Sequence, residues 1–199
     1  MDILENMRNV VSIQASAIND LQNQMNAKYE EAIQMIKKCK GKVIITGVGK
    51  SGHVGKKIAA SFASMGTPSF FVHSTEGAHG DLGMIQKEDI VILITNSGET
   101  KEVLNLLSSL KQIGTKTIAI TSNPTSTIAN ECNIALIYNY DKEADHLGLA
   151  PTVSSTIVLV MGDAMAVTLS QDKSFNQKDF HLFHPGGSLG SQLKEKHQN

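Results

Sequence analysis

Tryptophan is absent from this 199-residue chain, other aromatics are sparse, and only two cysteines and four prolines occur. Cys39 and Cys132 stand far apart without CxxC spacing, which argues against a disulfide framework or a cysteine zinc site and suits a reducing cytoplasm. Charge of either sign is also missing as a bias: 18 Lys+Arg face 19 Asp+Glu, and no basic block occurs beyond Lys37, Lys38, Lys40 and Lys42. Nothing here recommends a nucleic-acid partner. No basic tip with an apolar run opens the chain, where Asp2, Glu5 and Arg8 interrupt the apolar residues, so no secretion signal is expected. Nor does any stretch read as a membrane span, the apolar run from Val153 to Leu169 being broken by Gly162 and Asp163. The length suits one α/β domain with a proper core.

What is present is organised around VIITGVGKSGHVGKKIAASFASM, Val43 to Met65. Four β-branched residues run into Gly47, Gly49, Gly52 and Gly55, then into the helical spacing of Val54, Ile58, Ala59, Phe62 and Ala63. This predicts strand, glycine-rich turn and helix, with the helix N-terminus open to an anion. Before it, residues 1–40 carry Ile3, Met7, Val11, Ile18, Leu21, Met25, Ala32, Ile33 and Ile36 at helical spacing. These predict one long helix or two, whose stripe buries either on the domain, residues 41–199, or on another chain.

Further short apolar runs at Pro68–Val72, Asp89–Thr95, Lys116–Thr121 and Ile134–Tyr138 alternate with helical segments. They predict a three-layer, doubly wound, five-stranded parallel sheet in the flavodoxin-like order 2-1-3-4-5, with the site outside strands 1 and 3. Strand 3 ends in a second small polar turn, TNSGETKE, offering Thr95, Asn96, Ser97 and Thr100 around Gly98, and a helix is expected directly afterwards. Two helix ends would then converge on one anion. The plainer reading makes Ser97 and Thr100 helix caps only.

Gly47, Gly49 and Gly52 formally satisfy GxGxxG, but strand 2 runs into His73 and Ser74 where a ribose-binding acid would stand. Gly49-Lys50-Ser51 resembles the end of a triphosphate loop, but Ile44 replaces its first glycine. A sugar phosphate fits better than a nucleotide. His73, Glu76, His79 and Asp81 form a cluster that could hold zinc, contact substrate or merely build a turn. Glu143 and His146 follow strand 5. Pro151 then opens an apolar helix in which Gly162 predicts a close helix crossing and Asp163 a buried hydrogen-bonding residue. Near the end, Pro185 and the paired glycines of FHPGGSLG would present His184 from a defined loop.

The stretches GVGKSGHVGKKIAASFASMGTPSFFVH, EGAHGDLGM, TNSGETKEV, LGLAPTVSST, MGDA and HPGGSLG closely resemble the sugar isomerase (SIS) family, in family order from Val43 to Gly190. LGLAPT and HPGG point to its arabinose-phosphate branch. The resemblance implies interconversion of D-ribulose 5-phosphate and D-arabinose 5-phosphate, feeding the octulosonate sugar of lipopolysaccharide. It implies phosphate held by Ser97 and Thr100, with Gly49, Ser51, Thr95, Asn96 and His79 nearby, and an active site of Lys50, Glu102, Glu143 and His184. It also implies a homodimer or homotetramer with shared sites. Many members continue into paired CBS domains after HPGGSLG; a short form is expected to keep the chemistry.

The reaction needs a carbon base, an oxyanion-stabilising group and a fixed phosphate. Glu102 is the first choice for the base, His184 for moving protons between oxygens, Glu143 as a substitute for either, and Lys50 for positive charge. No cofactor and no metal are required, although inhibitory zinc near His79 is conceivable. The alternatives are another SIS isomerase, such as one acting on 3-hexulose 6-phosphate, and a phosphosugar sensor without turnover.

Overall fold

The computed structural model describes residues 2–185. Its strands are β1 (Val43–Gly47), β2 (Ser69–His73), β3 (Ile90–Ile94), β4 (Lys116–Thr121) and β5 (Ile134–Ile137), all parallel and in the order β2-β1-β3-β4-β5. The doubly wound sheet expected from the sequence is therefore present. Its helices are α1 (Ile3–Gln24), α2 (Ala27–Lys37), α3 (Gly49–Ser64), α4 (Ser74–Ala78), α5 (Lys101–Leu104), α6 (Leu107–Ile113), α7 (Thr127–Glu131), α8 (Val153–Asp172) and α9 (Gln177–Phe183). A 3-10 turn spans Asp81–Met84.

Both faces of the sheet are covered, which is why β1 and β3 are apolar without alternation and buried at every position. Val43, Ile45, Ile90, Ile92, Ile94, Ile118 and Ile120 pack under a layer containing Leu21, Ala32, Ile36, Ile58, Phe62, Ile157 and Met161. The intervening Ile44, Val91, Leu93 and Ala119 meet Val103, Leu106, Leu110 and Ile128 on the other face.

The N-terminal segment forms two helices because Asn26 leaves helical geometry and caps α2, its side chain accepting from the Lys28 amide at 2.9 Å. Only the second half of α1 rests on the body: Ile13, Ala17 and Leu21 join the core, and Thr156 donates to Gln14 at 2.7 Å. Residues 2–9 are all exposed, with Ile3 at 75% and Met7 at 60%.

Three expectations need correction. The helix after the TNSGET turn is split into α5 and α6, since the Leu106 amide bonds three residues back to Val103 and tightens the chain there. Secondly, α8, with 20 residues and a mean hydropathy of 1.6, is long and apolar enough to cross a membrane by length and composition. Here it is a core helix: a Cβ on Gly162 would lie 2.5 Å from Ile58 Cγ1, so the glycine is what lets α3 and α8 cross closely, as predicted. Lastly, Asp163 is not buried. Its side chain is 39% exposed and accepts from Lys57 at 2.6 Å.

Candidate active site

The chain leaves β1 toward β2 on one side and β3 toward β4 on the other, so a crevice opens outside the ends of β1 and β3. Gly47 and Ile94 are register partners, and a Cβ on Gly47 would sit 3.1 Å from the Ile94 carbonyl and 3.3 Å from the Gly52 amide. Glycine at 47 and 52 thus brings strand, turn and helix into contact. Gly49 does something else: its φ of +57° turns the chain into α3, and no atom lies within 4 Å of its Cβ position. Val48, the N-cap of α3, supplies no side-chain hydrogen bond. The first-turn amides of Gly49, Lys50 and Ser51 have no intrahelical acceptor, and Lys50 is exposed beside them.

Opposite stands the Thr95–Thr100 turn. Thr95 is buried and its hydroxyl pairs with that of Thr100 at 2.7 Å, while also accepting from the Gly98 amide at 3.3 Å. Thr100 therefore does not cap α5 with its side chain. Ser97 is exposed and its hydroxyl accepts from the Glu99 amide at 3.2 Å. Among the described residues the amides of Asn96, Ser97, Thr100 and Lys101 donate to nothing. Free amides and hydroxyls on a turn beside a bare helix N-terminus are an arrangement able to hold an anion.

That turn is anchored from behind. Gly98, at φ +72°, lies so close to Ser126 that a Cβ would collide with its hydroxyl. Glu99, an acid within an anion turn, is directed away from the crevice: its two oxygens accept from the amide (2.7 Å) and hydroxyl (2.8 Å) of Thr127 at the start of α7. Asn96 is held by Tyr138 and Tyr140, with its amide side chain engaged on both sides. Neither tyrosine is among the site residues expected from the sequence, where Tyr138 is only the end of the Ile134–Tyr138 run. Their spacing of two, which places both rings on one face of an extended chain, was the available signal.

The remaining expected residues are placed as follows. Glu102 lies in the first turn of α5, exposed and two residues beyond Thr100. His79 is exposed at the C-terminal end of α4. His73 caps the same helix with Nδ1 accepting from the Thr75 amide at 3.3 Å, and no group of three or more His, Cys, Asp or Glu is placed to hold a metal among the described residues. His73, Glu76, His79 and Asp81 are therefore not assembled as a metal centre within the chain.

Glu143 is 7% exposed and sits under the N-terminus of α8. One oxygen accepts from the amides of Thr152 (2.8 Å), Val153 (2.7 Å) and Ser154 (3.3 Å) and from the Thr152 hydroxyl (3.1 Å), and the other accepts from the Ser154 hydroxyl. Burial pushes its carboxyl up, but these hydrogen bonds outweigh burial and hold it below the usual carboxylate range. It stays an ionised cap.

His184 is not gathered with the others. Its Nδ1 lies 2.8 Å from the Phe180 carbonyl and its ring stacks on Phe180 at 3.8 Å. Its neighbour Phe183 shares a pocket with Lys42, Gly66, Pro68 and Ser69, at the starts of β1 and β2 and thus at the opposite end of the sheet from the crevice. The glycines of HPGGSLG, from Gly186 on, lie outside the described residues.

A parallel five-stranded sheet with a crevice between two glycine-containing turns is an open α/β domain, and the SIS domain family matches residues 35–168. The chain belongs to the SIS family. It is 48% identical over 193 residues to the arabinose 5-phosphate isomerase KdsD of Yersinia pestis, covering 97% of this chain and 59% of that protein. The chain thus spans about three-fifths of the length of the curated relatives it matches. Among solved structures, Escherichia coli CFT073 c3406 in complex with arabinose 5-phosphate superposes with a TM-score of 0.91 at 46% identity, over 92% of this chain and 98% of that one. A putative sugar-phosphate isomerase from Listeria monocytogenes also gives 0.91, at 35% identity, over 94% and 100%.

Proposed function

We propose that the chain is an aldose-ketose isomerase interconverting D-ribulose 5-phosphate and D-arabinose 5-phosphate. The observation that carries this reading is the pairing of the bare α3 N-terminus with the Thr95–Thr100 turn across the β1/β3 crevice. The KdsD relative, named an arabinose 5-phosphate isomerase, and the arabinose 5-phosphate complex of c3406 support the substrate. Phosphate is held by the hydroxyls of Ser97, Thr100 and Ser51 and by free amides of both turns, with His79 contacting the sugar. The reaction moves one proton from C2 of the aldose to C1 of the ketose through an enediolate, while a second proton passes between the two oxygens. Hydrogen stays in the substrate, so the reading requires no redox cofactor. Glu102 takes the carbon-bound proton and returns it, and Lys50 offsets charge on the phosphate or the enediolate. Glu143, with every oxygen engaged, is assigned to holding α8 rather than to proton transfer.

His184 is assigned to oxygen-proton transfer in the site of a neighbouring subunit. Its position at the far end of its own sheet favours that arrangement, as do the exposed apolar residues Ile3, Leu4, Met7 and Val11 of α1 and Leu182 of α9. The unit is a homodimer or homotetramer in which residues 1–40 both pack on their own domain and reach another copy. The product supplies octulosonate synthesis in the cytoplasm. The test is incubation of metal-stripped protein with D-ribulose 5-phosphate and chromatographic identification of the pentose phosphates. Arabinose 5-phosphate is expected; saturable binding without turnover would make the chain a sensor.

A further inference from the structure

We infer that Asn96 is a positioning residue, and that Tyr138 and Tyr140 form with it a clamp that sets the anion-binding turn. This rests on reading Thr95–Thr100 as the phosphate turn. Both polar atoms of the side chain are engaged: Oδ1 accepts from the Tyr138 hydroxyl at 2.8 Å and Nδ2 donates one of its two N–H groups to the Tyr140 hydroxyl at 3.0 Å. Because both partners are hydroxyls, which donate or accept as needed, the clamp works with the amide in either orientation. The Asn96 carbonyl is fixed as well, accepting from the Thr121 hydroxyl (3.0 Å), the Ser122 hydroxyl (2.8 Å) and the Ser122 amide (3.1 Å). Among the described residues its backbone N–H is unbonded, next to the unbonded N–H of Ser97.

The residue is therefore gripped at its side chain and its carbonyl, with its backbone amide hydrogen left free. A turn whose donors are held in place before the anion arrives spends less binding energy on ordering itself. Tyrosine suits the task because its ring reaches from the segment after β5 while packing against the core. Tyr138 is 1% exposed, and the two rings stack with centroids 6.2 Å apart and planes 21° from parallel. Burial raises both phenols, so they remain hydroxyls throughout the neutral range.

The test is a double-mutant cycle on Asn96→Ala and Tyr140→Phe. It is read by the dissociation constant for inorganic phosphate in calorimetry and by KM and kcat for D-ribulose 5-phosphate. Tyr140→Phe keeps the stacked ring and removes only the hydroxyl, and it carries the test if Asn96→Ala does not fold. The clamp predicts that Tyr140→Phe weakens phosphate binding by about 3- to 10-fold, the worth of one ordinary hydrogen bond, and raises KM in parallel with little change in kcat. It also predicts that the double variant binds no more weakly than Asn96→Ala alone. Unchanged phosphate affinity in Tyr140→Phe, or additive losses in the double variant, would overturn it. Wild-type protein that binds phosphate without isomerising leaves the clamp standing while the isomerase reading falls; wild-type protein that binds no phosphate overturns both.

Discussion

Replacing Glu143 by glutamine separates a structural cap from a reacting carboxylate. The wild-type carboxylate takes five hydrogen bonds, from three amides and two hydroxyls, and carries a negative charge at the start of a 20-residue helix. Glutamine keeps the shape but loses the charge and turns an NH2 group toward donors. Loss of the charge at a partly buried helix N-terminus costs about 1–2 kcal/mol. The exchange of charge-assisted for neutral or broken hydrogen bonds adds roughly 1–2 kcal/mol. The variant should therefore be about 2–4 kcal/mol less stable at pH 7, lowering Tm by roughly 4–16 °C for a chain of this size. The pH dependence sharpens the test. A carboxyl held below its usual range contributes stability that is complete above the unfolded-state value of about 4.3 and is lost as pH falls through the folded-state value. Urea unfolding from pH 7 down to pH 3 should thus show the two proteins converging. A variant within about 0.5 kcal/mol of wild type at pH 7 would refute the capping argument.

Four other outcomes follow from the same geometry. Glu102→Gln should lower kcat by about 10²–10⁴-fold with little change in KM, and near-normal kcat would remove it as the base. Ser97→Ala should raise KM by roughly 10–100-fold through loss of a hydrogen bond to a charged group, leaving kcat nearly intact in steady-state assay. Gly162→Val should destabilise by about 1–3 kcal/mol in thermal unfolding, because its side chain enters the space of Ile58; unchanged stability would mean that the crossing is not close. Met7→Glu, on the exposed stripe of α1, should reduce the mass found by sedimentation equilibrium, and an unchanged assembly would take α1 out of the interface.

Much of the architecture is legible in the residues themselves. The sheet order follows from five short β-branched runs alternating with helices, because parallel strands covered on both faces have little freedom to read otherwise. The two turns are visible because glycine followed by hydroxyl residues at a strand end has few other uses. Pairwise hydrogen bonds between distant segments are not visible. Glu143 reads as a spare acid because nothing in its own neighbourhood announces Thr152 to Ser154 as its partners, although Thr152 and Ser154 bracket the helix start. The partners of Asn96 are invisible for the same reason, its two tyrosines lying more than forty positions away, at separations of 42 and 44. Asp163 reads as buried from the apolarity of α8, but helical spacing turns it to the rim beside Lys57. The position of His184 depends on how α9 returns along the sheet, which local sequence does not encode.

Glu99 ties the phosphate turn to α7, a helix of five residues too short to persist by itself. The turn and the helix consequently share one opening event: when the Glu99 bonds to Thr127 break, the Ile128 amide also loses its acceptor, the Gly98 carbonyl. In hydrogen exchange the Gly98 amide and the amides of Thr127, Ile128 and Cys132 should open together, and phosphate should slow exchange in α7.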